Sequence, residues 1–106
     1  MMKEKKAAST SYWVYILHCE NNTYYTGYTT DLQRRYQEHV KGSAKCKYTR
    51  SFKPLRIAQS WQIYGDKAIA MKIEKQIKLM SKKEKEKIIA DPDLLRQIFL
   101  LKIIVS

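Results

Sequence analysis

The chain has 106 residues, of which 44% are hydrophobic, and this length and composition predict one globular domain with its own core. It carries 21 lysine and arginine residues against 10 acidic ones, a formal net charge of +11, which favours a polyanionic partner such as nucleic acid over an anionic membrane surface or a role in solubility alone. No apolar run is long enough to span a bilayer, so we expect no integral membrane protein.

The N-terminal segment and the cysteines indicate neither secretion nor a structural metal. Residues 1–11 are basic but lack an apolar stretch, which predicts a short disordered arm rather than a secretory signal. Cys19 and Cys46 come without a CxxC pair or a histidine cluster, so the four grouped ligands of a structural zinc site are not offered. Two free thiols in a reducing compartment are the simplest interpretation, and we expect a cytoplasmic protein.

A β-hairpin is predicted at the start of the domain. Residues 12–18 (YWVYILH) are rich in aromatic and β-branched side chains, which is typical of a strand. Residues 20–22 (ENN) supply turn chemistry because asparagine tolerates the left-handed conformation. Residues 23–28 (TYYTGY) then form the returning strand.

Strand alternation assigns the hairpin side chains to faces. Tyr15 is predicted to share a face with Trp13 and Leu17 on the first strand. Tyr25 and Gly27 share a face on the second strand for the same reason.

The next segment matches the start of an α-helix. Thr30 and Gln33 fit a capping box, and a helix to about residue 41 is predicted, closed by Gly42 in the left-handed conformation. Arg35 and His39 are four residues apart, so they stand one above the other on this helix. The predicted buried stripe of the helix recurs every four positions: Leu32, Tyr36 and Val40.

The second half of the domain is predicted to hold a loop, a strand and two helices. Residues 43–54 read as a loop, and residues 55–63 (LRIAQSWQI) as a third strand. Asp66 is the predicted cap of a long helix, and Ser81 with Glu84 forms a capping box for a charged helix that runs to about residue 90. The apolar stripe of the long helix is predicted to consist of Ile69, Ile73, Ile77 and Met80.

A helical C-terminal extension is predicted beyond this domain. Asp91-Pro92 is another helix-start signal, with proline at the first helical position. Residues 98–105 (IFLLKIIV) include seven apolar side chains in eight, too many to remain in water. We therefore expect an arm over residues 1–11, a core domain over 12–90 and a helical extension over 91–106.

Two short motifs carry a resemblance to a known family. Residues 13–15 (WVY) are followed by residues 25–27 (YTG), with the two tyrosines ten residues apart, and this pair resembles the motifs that name the GIY-YIG nuclease superfamily. Arg35 and His39 on the next helix and Glu74 on a later one follow as in that superfamily. The resemblance covers roughly residues 12 to 90 and is greatest to small stand-alone bacterial members. It implies an α/β (α+β) fold: a three-stranded antiparallel sheet flanked by helices, with connectivity β-β-α-β-α plus C-terminal helices.

The resemblance also implies a role for each of five polar residues. Tyr15 would be the general base that takes a proton from the attacking water, and Tyr25 would position the phosphate or the water. Arg35 would stabilise the extra negative charge of the transition state. His39 would hydrogen-bond the phosphate or hold a tyrosine. Glu74 would bind one divalent cation, Mg²⁺ or Mn²⁺.

The expected base is a phenol, whose pKa of about 10 leaves only about one in a thousand ionised at pH 7. Arg35 and the basic field are expected to lower the pKa of Tyr15, so that activity rises toward alkaline pH. Tyr28 stands where some members of the family carry a lysine that would add to this effect.

The substrate implied by the resemblance is DNA, with branched and nicked forms as candidates. Gly27 would let the substrate backbone approach, because it has no side chain. The loop before the third strand interleaves basic and aromatic residues, a pattern that can follow a phosphate backbone and stack on a base. Its predicted nucleic-acid-binding residues are Lys45, Lys47, Tyr48 and Arg50.

The proposed site residues also have plain structural interpretations. Two other functions remain open as well. Tyr15 could be a packed aromatic, Gly27 a β-bulge, and Glu74 the ion-pair partner of Lys78. A non-catalytic nucleic-acid-binding module would use the same positive face as a clamp. An interaction domain would instead dock a protein partner, or form a homodimer, through its C-terminal apolar segment.

Overall fold

The computed structural model describes residues 11–43 and 46–99. Within these residues three strands form one antiparallel sheet in the order β2–β1–β3. The strands are β1 (Ser11–Cys19), β2 (Tyr24–Thr29) and β3 (Pro54–Tyr64). The helices are α1 (Leu32–Lys41), α2 (Lys47–Ser51), α3 (Lys67–Lys78), α4 (Lys82–Ala90) and α5 (Asp93–Ile98). The predicted α+β class and its order of elements are confirmed, and α2 is a short helix inside the predicted loop.

The central strand β1 pairs on both sides, and its hairpin with β2 fixes the positions of the motif residues. Asn22 adopts a φ of 59° in the turn, as expected for asparagine. The register places Tyr15 opposite Gly27 and Leu17 opposite Tyr25, without irregularity between the two strands. Because paired residues in an antiparallel sheet point to the same side, the two motifs meet on one face.

Helices cover both faces of the sheet and bury two apolar clusters. The larger cluster lies toward α3, α4 and α5 and includes Val14, Ile16, Ile63, Ile73, Ile77, Ile88, Leu95 and Phe99. The smaller one lies toward α1 and α2 and includes Tyr15, Leu17 and Cys19, with Leu32, Tyr36 and Tyr48 packed against it. The stripe predicted for α3 is confirmed at Ile73 and Ile77, which are buried.

Residues on both sides of the predicted core domain belong to regular elements of the fold. Strand β1 begins at Ser11, the last residue of the predicted arm, and residues 1–10 lie outside the described residues. Leu95 and Phe99 of the predicted extension are buried in the larger cluster. This part of the extension therefore completes the core of the domain, while residues 100–106 lie outside the described residues.

Helix α1 departs from the prediction at its start and on its buried face. Its N-cap is Asp31, whose carboxylate accepts from the main-chain N–H of Arg34 at 3.1 Å, so the capping box expected at Thr30 is wrong. Val40 is 39% exposed, whereas His39 is fully buried. The side chains turned toward the sheet follow the usual three- and four-residue spacing: Leu32, Arg35, Tyr36 and His39.

Most of the other predicted helix ends agree with the structure. Gly42 closes α1 with a φ of 71°. The Asp66 side chain caps α3 at the N–H of Ile69, and Ser81 forms the expected reciprocal capping box with Glu84. Pro92 lies one residue earlier than predicted, at the N-cap of α5 rather than in its first turn.

Candidate active site

A cleft of about 400 Å³ opens beside the end of β2, between α1 and α3. It is lined by Tyr15, Tyr25, Gly27, Tyr28, Thr29, Arg34, Arg35, Glu38 and Glu74. Four predicted site residues from widely separated parts of the sequence thus line the same cleft: Tyr15, Tyr25, Arg35 and Glu74. His39, the fifth predicted residue, is fully buried behind Tyr15 and does not line the cleft.

Tyr15 and Gly27 fit against each other across the hairpin. A Cβ atom at Gly27 would lie 2.5 Å from Oη of Tyr15 and 2.8 Å from its Cζ, closer than non-bonded atoms approach. The missing side chain therefore makes room for the phenol, and the register shows no bulge at this position. The approach of a substrate backbone to Gly27 remains a prediction.

A chain of hydrogen bonds runs from Tyr15 into the core. Oη of Tyr15 lies 2.8 Å from Nε2 of His39, and Nδ1 of His39 lies 2.8 Å from Oγ1 of Thr49. Thr49 donates its hydroxyl proton to the carbonyl of Cys46 at 3.3 Å. Thr49 must then accept from Nδ1–H of His39, which leaves Nε2 without a proton to accept from the Tyr15 hydroxyl. Of the two predicted roles of His39, the geometry matches the holding of a tyrosine.

The electrostatics of this pair differ from the expectation for Tyr15. Burial, and then the neighbouring Tyr25, raise the pKa of Tyr15 well above its usual value, although Arg35 acts in the lowering direction. The predicted lowering of the Tyr15 pKa is therefore wrong in this structure, because the effect of burial outweighs that of the Arg35 charge. Burial and the charge of Arg35 lower the pKa of His39 to about 4. The resting pair is a neutral phenol bonded to a neutral imidazole.

Arg35 is held in the cleft from two sides. Its Nη1 lies 2.8 Å from Oε1 of Glu38, and it also hydrogen-bonds Tyr15. Burial opposes its charge, but the hydrogen bonds with Glu38 and Tyr15 more than offset that and raise the pKa of the guanidinium. Arg34, the residue before Arg35 on α1, lines the cleft as well and is exposed.

Glu74 brings a carboxylate to the cleft from α3. Its side chain is 18% exposed, and Oε2 lies 3.3 Å from Nζ of Lys78, so the ion pair considered as the plain interpretation is present. Lys78 is half exposed and one turn further along, in the favourable order for such a pair. Among the described residues, no group of three or more histidine, cysteine, aspartate or glutamate side chains is arranged to hold a metal.

The predicted binding loop forms α2 and packs on the smaller cluster. Lys47 and Arg50 are exposed, as a phosphate contact requires, while Lys45 lies outside the described residues. Tyr48 is half-buried and stacks on Tyr25, with ring centroids 5.6 Å apart, and its hydroxyl bonds Thr23. Tyr25 in turn meets His39 edge-on at 5.1 Å.

Several residues of the site were missed by the sequence reasoning. Glu38 lies three residues after Arg35, a spacing that predicts a helical ion pair. Thr49 and Cys46 had no such signal, because the contact of Thr49 with His39 and its hydrogen bond to the Cys46 carbonyl depend on how the loop folds over α1. The two cysteines are free and buried, in agreement with the prediction. Over the described part of the chain, no helix combines the length and apolarity that a membrane crossing requires.

The chain is similar to known proteins of one family. The sequence model of the GIY-YIG catalytic domain family matches residues 11–87. The UPF0213 protein BH0048 of Halalkalibacterium halodurans is 39% identical over 80 residues, covering 76% of this chain and 83% of that protein. The UPF0213 protein VNG_2274C of Halobacterium salinarum is 44% identical over 73 residues, covering 69% and 92%.

A solved structure is also similar. It is the solution NMR structure of the UPF0213 protein BH0048 from Bacillus halodurans, with 39% identity, coverage of 76% of this chain and 83% of that one, and a TM-score of 0.48. The family match spans most of the described residues and includes every residue of the cleft. The chain belongs to the GIY-YIG family of nuclease domains.

Proposed function

We propose that the protein is a metal-dependent endonuclease that hydrolyses phosphodiester bonds of DNA. The observation that carries the proposal is the convergence of Tyr15 from β1, Arg35 from α1 and Glu74 from α3 on one cleft. A phenol, a guanidinium and a carboxylate supply a base, a charge stabiliser and a cation ligand. GIY-YIG domains imply DNA as the substrate, and the net charge of +11 suits such a polyanion.

Tyr15 acts as the general base through His39. Its Oη accepts a proton from the attacking water while its own proton passes to Nε2 of His39, so the phenol is never required as a free phenolate. The hydrogen bond from Nδ1–H of His39 to Thr49 keeps Nε2 turned toward Tyr15. This route suits a buried phenol whose pKa is raised, because ionisation before the reaction would be costly.

Arg35 stabilises the pentacoordinate phosphorane, whose oxygens carry more negative charge than those of the ground state. Glu38 fixes the guanidinium through a 2.8 Å ion pair. Tyr25, which lines the same cleft, positions the phosphate or the water through its hydroxyl. After the step, the proton held on His39 returns to solvent through Tyr15.

Glu74 is the residue that would hold the metal. GIY-YIG nucleases generally use a divalent metal ion. One carboxylate suits Mg²⁺ or Mn²⁺, which keep water and phosphate oxygens as their other ligands. The cation would supply charge for the leaving oxygen, and Lys78 neutralises the carboxylate when no cation is bound.

DNA would approach across α2 toward the cleft. Lys47 and Arg50 are exposed and contact phosphates in this proposal, as would Lys45, and Gly27 gives the backbone access. Branched and nicked DNA are the substrates to test first. The buried free thiols fit a reducing cytoplasm as the site of action.

Cleavage by isosteric variants tests the function. Pure protein is incubated with branched, nicked and blunt DNA in Mg²⁺ or Mn²⁺, and Tyr15→Phe and Glu74→Gln are expected to lower cleavage about 100-fold or more. Tyr12→Phe on the same strand and Glu86→Gln on α4 are matched controls that should retain it. Absence of cleavage by the wild-type chain, or full cleavage by both cleft variants, would refute the proposal.

A non-catalytic nucleic-acid-binding module is the second candidate, and the burial of Tyr15, which is only 1% exposed, favours it. In that case the logarithm of the binding constant falls with the logarithm of salt concentration at about −0.9 per phosphate neutralised, without strand breaks. Salt-dependent binding with intact DNA in Mg²⁺ selects this candidate. Undetectable binding at low salt excludes it.

A further inference from the structure

An aromatic ladder leads from the cleft to the protein surface. Tyr25 lines the cleft and stacks on Tyr48, with centroids 5.6 Å apart and planes inclined by 22°. Tyr48 contacts Phe52 at 5.2 Å, with planes inclined by 44°. Phe52 is 38% exposed. The three rings form one continuous path, and Phe52 is its exposed end.

Tyr48 is not available as a stacking platform. Its ring contacts both Tyr25 and Phe52, and its hydroxyl is bonded to Thr23. The base-stacking role that the sequence suggested for Tyr48 therefore moves to Phe52.

The surroundings of Phe52 carry positive charge. Lys47, Arg50 and Lys53 are exposed within the segment 47–53 (KYTRSFK), which contains no acidic residue. The nearby carboxylate of Glu20 accepts from the main-chain N–H of Lys53 at 3.3 Å. An aromatic face among cations fits a nucleobase attached to phosphates better than it fits an apolar peptide.

We infer that Phe52 is a platform for an unpaired nucleobase, so that the substrate class is DNA with unpaired nucleotides close to the bond that is cut. The faces of a base inside a duplex are covered by its neighbours, whereas an unpaired base offers a free face to a protein ring. The ladder spans two ring-to-ring steps, so this nucleotide lies within a few nucleotides of the cleft. The substrate class rests on the proposed nuclease function, but the platform does not.

Binding without metal tests the platform separately from catalysis. In EDTA, fluorescence anisotropy gives the affinity of the full chain for a short labelled single strand and for the blunt duplex of the same sequence. Phe52→Ala is expected to weaken single-strand binding about 5- to 100-fold and duplex binding less than about twofold. Phe52→Trp keeps a stacking face and should retain the affinity. Leu55→Ala, at a neighbouring apolar residue that is 57% exposed, is the matched control and should change neither.

Three results overturn the platform: no single-strand binding by the wild-type chain, an equal effect of Phe52→Ala on both nucleic acids, or an equal loss with Leu55→Ala. A cleavage arm in Mg²⁺ then compares flapped with blunt DNA. Phe52→Ala should reduce the preference for the flap without reducing cleavage of the duplex, and an unchanged preference overturns the substrate class. If the wild-type chain cuts nothing but binds with the expected selectivity, the nuclease proposal fails and the platform stands.

Discussion

The phenol of Tyr15 donates a hydrogen bond to Nε2 of His39 over 2.8 Å, between side chains that are 1% and 0% exposed. A general base is usually pictured as an accessible group with a matched pKa. Here the phenol meets the cleft with a small part of its surface and keeps its proton acceptor on the buried side. The pair can move a proton away from the cleft without exposing a charge to solvent.

This arrangement predicts that Tyr15 and His39 act as one unit. Tyr15→Phe removes the transferable proton and should lower the cleavage rate about 100- to 10,000-fold, the range of general acid–base catalysis. His39→Gln keeps a hydrogen-bonding group but no basic nitrogen, and we expect a loss of roughly 10- to 1000-fold. Because both changes interrupt the same transfer, the double variant should be no slower than Tyr15→Phe alone.

Single-turnover rates of the two single variants and the double variant measure this coupling. His18→Gln, at the other histidine of the chain, is the control and should leave the rate unchanged. Additive losses in the double variant would show that His39 acts independently of Tyr15.

The lowered pKa of His39 predicts a stability that depends on pH. The imidazole has a pKa of about 4 in the folded chain and about 6.5 when unfolded. Between these values the unfolded chain binds a proton that the folded chain does not, so stability falls as the pH drops from about 6.5 toward 4. The contribution is fully present above about pH 6.5 and decreases no further below about pH 4.

Thermal unfolding at pH 7.5 and at pH 5.5 tests this dependence above the range in which carboxylates titrate. His39→Gln should make the decrease in Tm from pH 7.5 to pH 5.5 smaller, whereas His18→Gln should leave that decrease unchanged. An equally steep decrease in His39→Gln would mean that other groups cause it.

Local patterns in the sequence were sufficient for the strands and for most helix ends. Tyr15 and Gly27 are opposite one another because alternation and a short turn leave little freedom in a hairpin. Asp66 and Ser81 cap their helices through contacts within three residues. Such features depend on neighbours in the chain, which the sequence displays directly.

The burial of His39 could not be predicted in the same way. Hydrophobicity alone selected Val40 for the core, yet the helix turns His39 inward because partners from a strand and a distant loop satisfy both of its ring nitrogens. The pKa of Tyr15 was misjudged for a related reason. The nearby Arg35 was foreseen, but the desolvation that outweighs it depends on packing over the whole face.

The contact between Gly27 and Tyr15 predicts that the smallest side chain is too large at this position. Gly27→Ala would place Cβ 2.5 Å from Oη and displace the phenol. We expect a loss of about 1–3 kcal/mol in the free energy of unfolding from overpacking. Cleavage should fall at least as far as in Tyr15→Phe, because the base would leave its position.

Gly42→Ala separates this effect from a general loss of stability. Gly42 has a φ of 71° and closes α1 away from the cleft, so alanine there should cost about 1–2 kcal/mol through backbone strain, and its Cβ would lie 3.3 Å from Cγ of the Arg50 side chain. Urea unfolding and cleavage are measured on both variants. If the two lose cleavage equally at temperatures where both are folded, the contact with Tyr15 is not what Gly27 provides.

Thr26 offers a test in which stability should increase. Its side chain is 3% exposed, and Oγ1 has no hydrogen-bond partner among the described residues. It pairs with Ile16 and therefore points away from the cleft, toward the core beneath α3. Valine has nearly the same shape without the unpaired hydroxyl, so Thr26→Val should stabilise the fold by about 1 kcal/mol, or roughly 4–8 °C in Tm, with cleavage unchanged.

Thr29→Val is the matched substitution on the same strand. Oγ1 of Thr29 accepts from the main-chain N–H of Asp31 at 3.1 Å, so valine there should lose about 1 kcal/mol instead of gaining it. If Tm rises in Thr26→Val and falls in Thr29→Val, then the hydrogen bonding of the hydroxyl determines the change in stability. The general preference of strands for valine would change both in the same direction. A loss of stability in Thr26→Val would mean that its hydroxyl is satisfied in solution, because only a group with a partner is costly to remove.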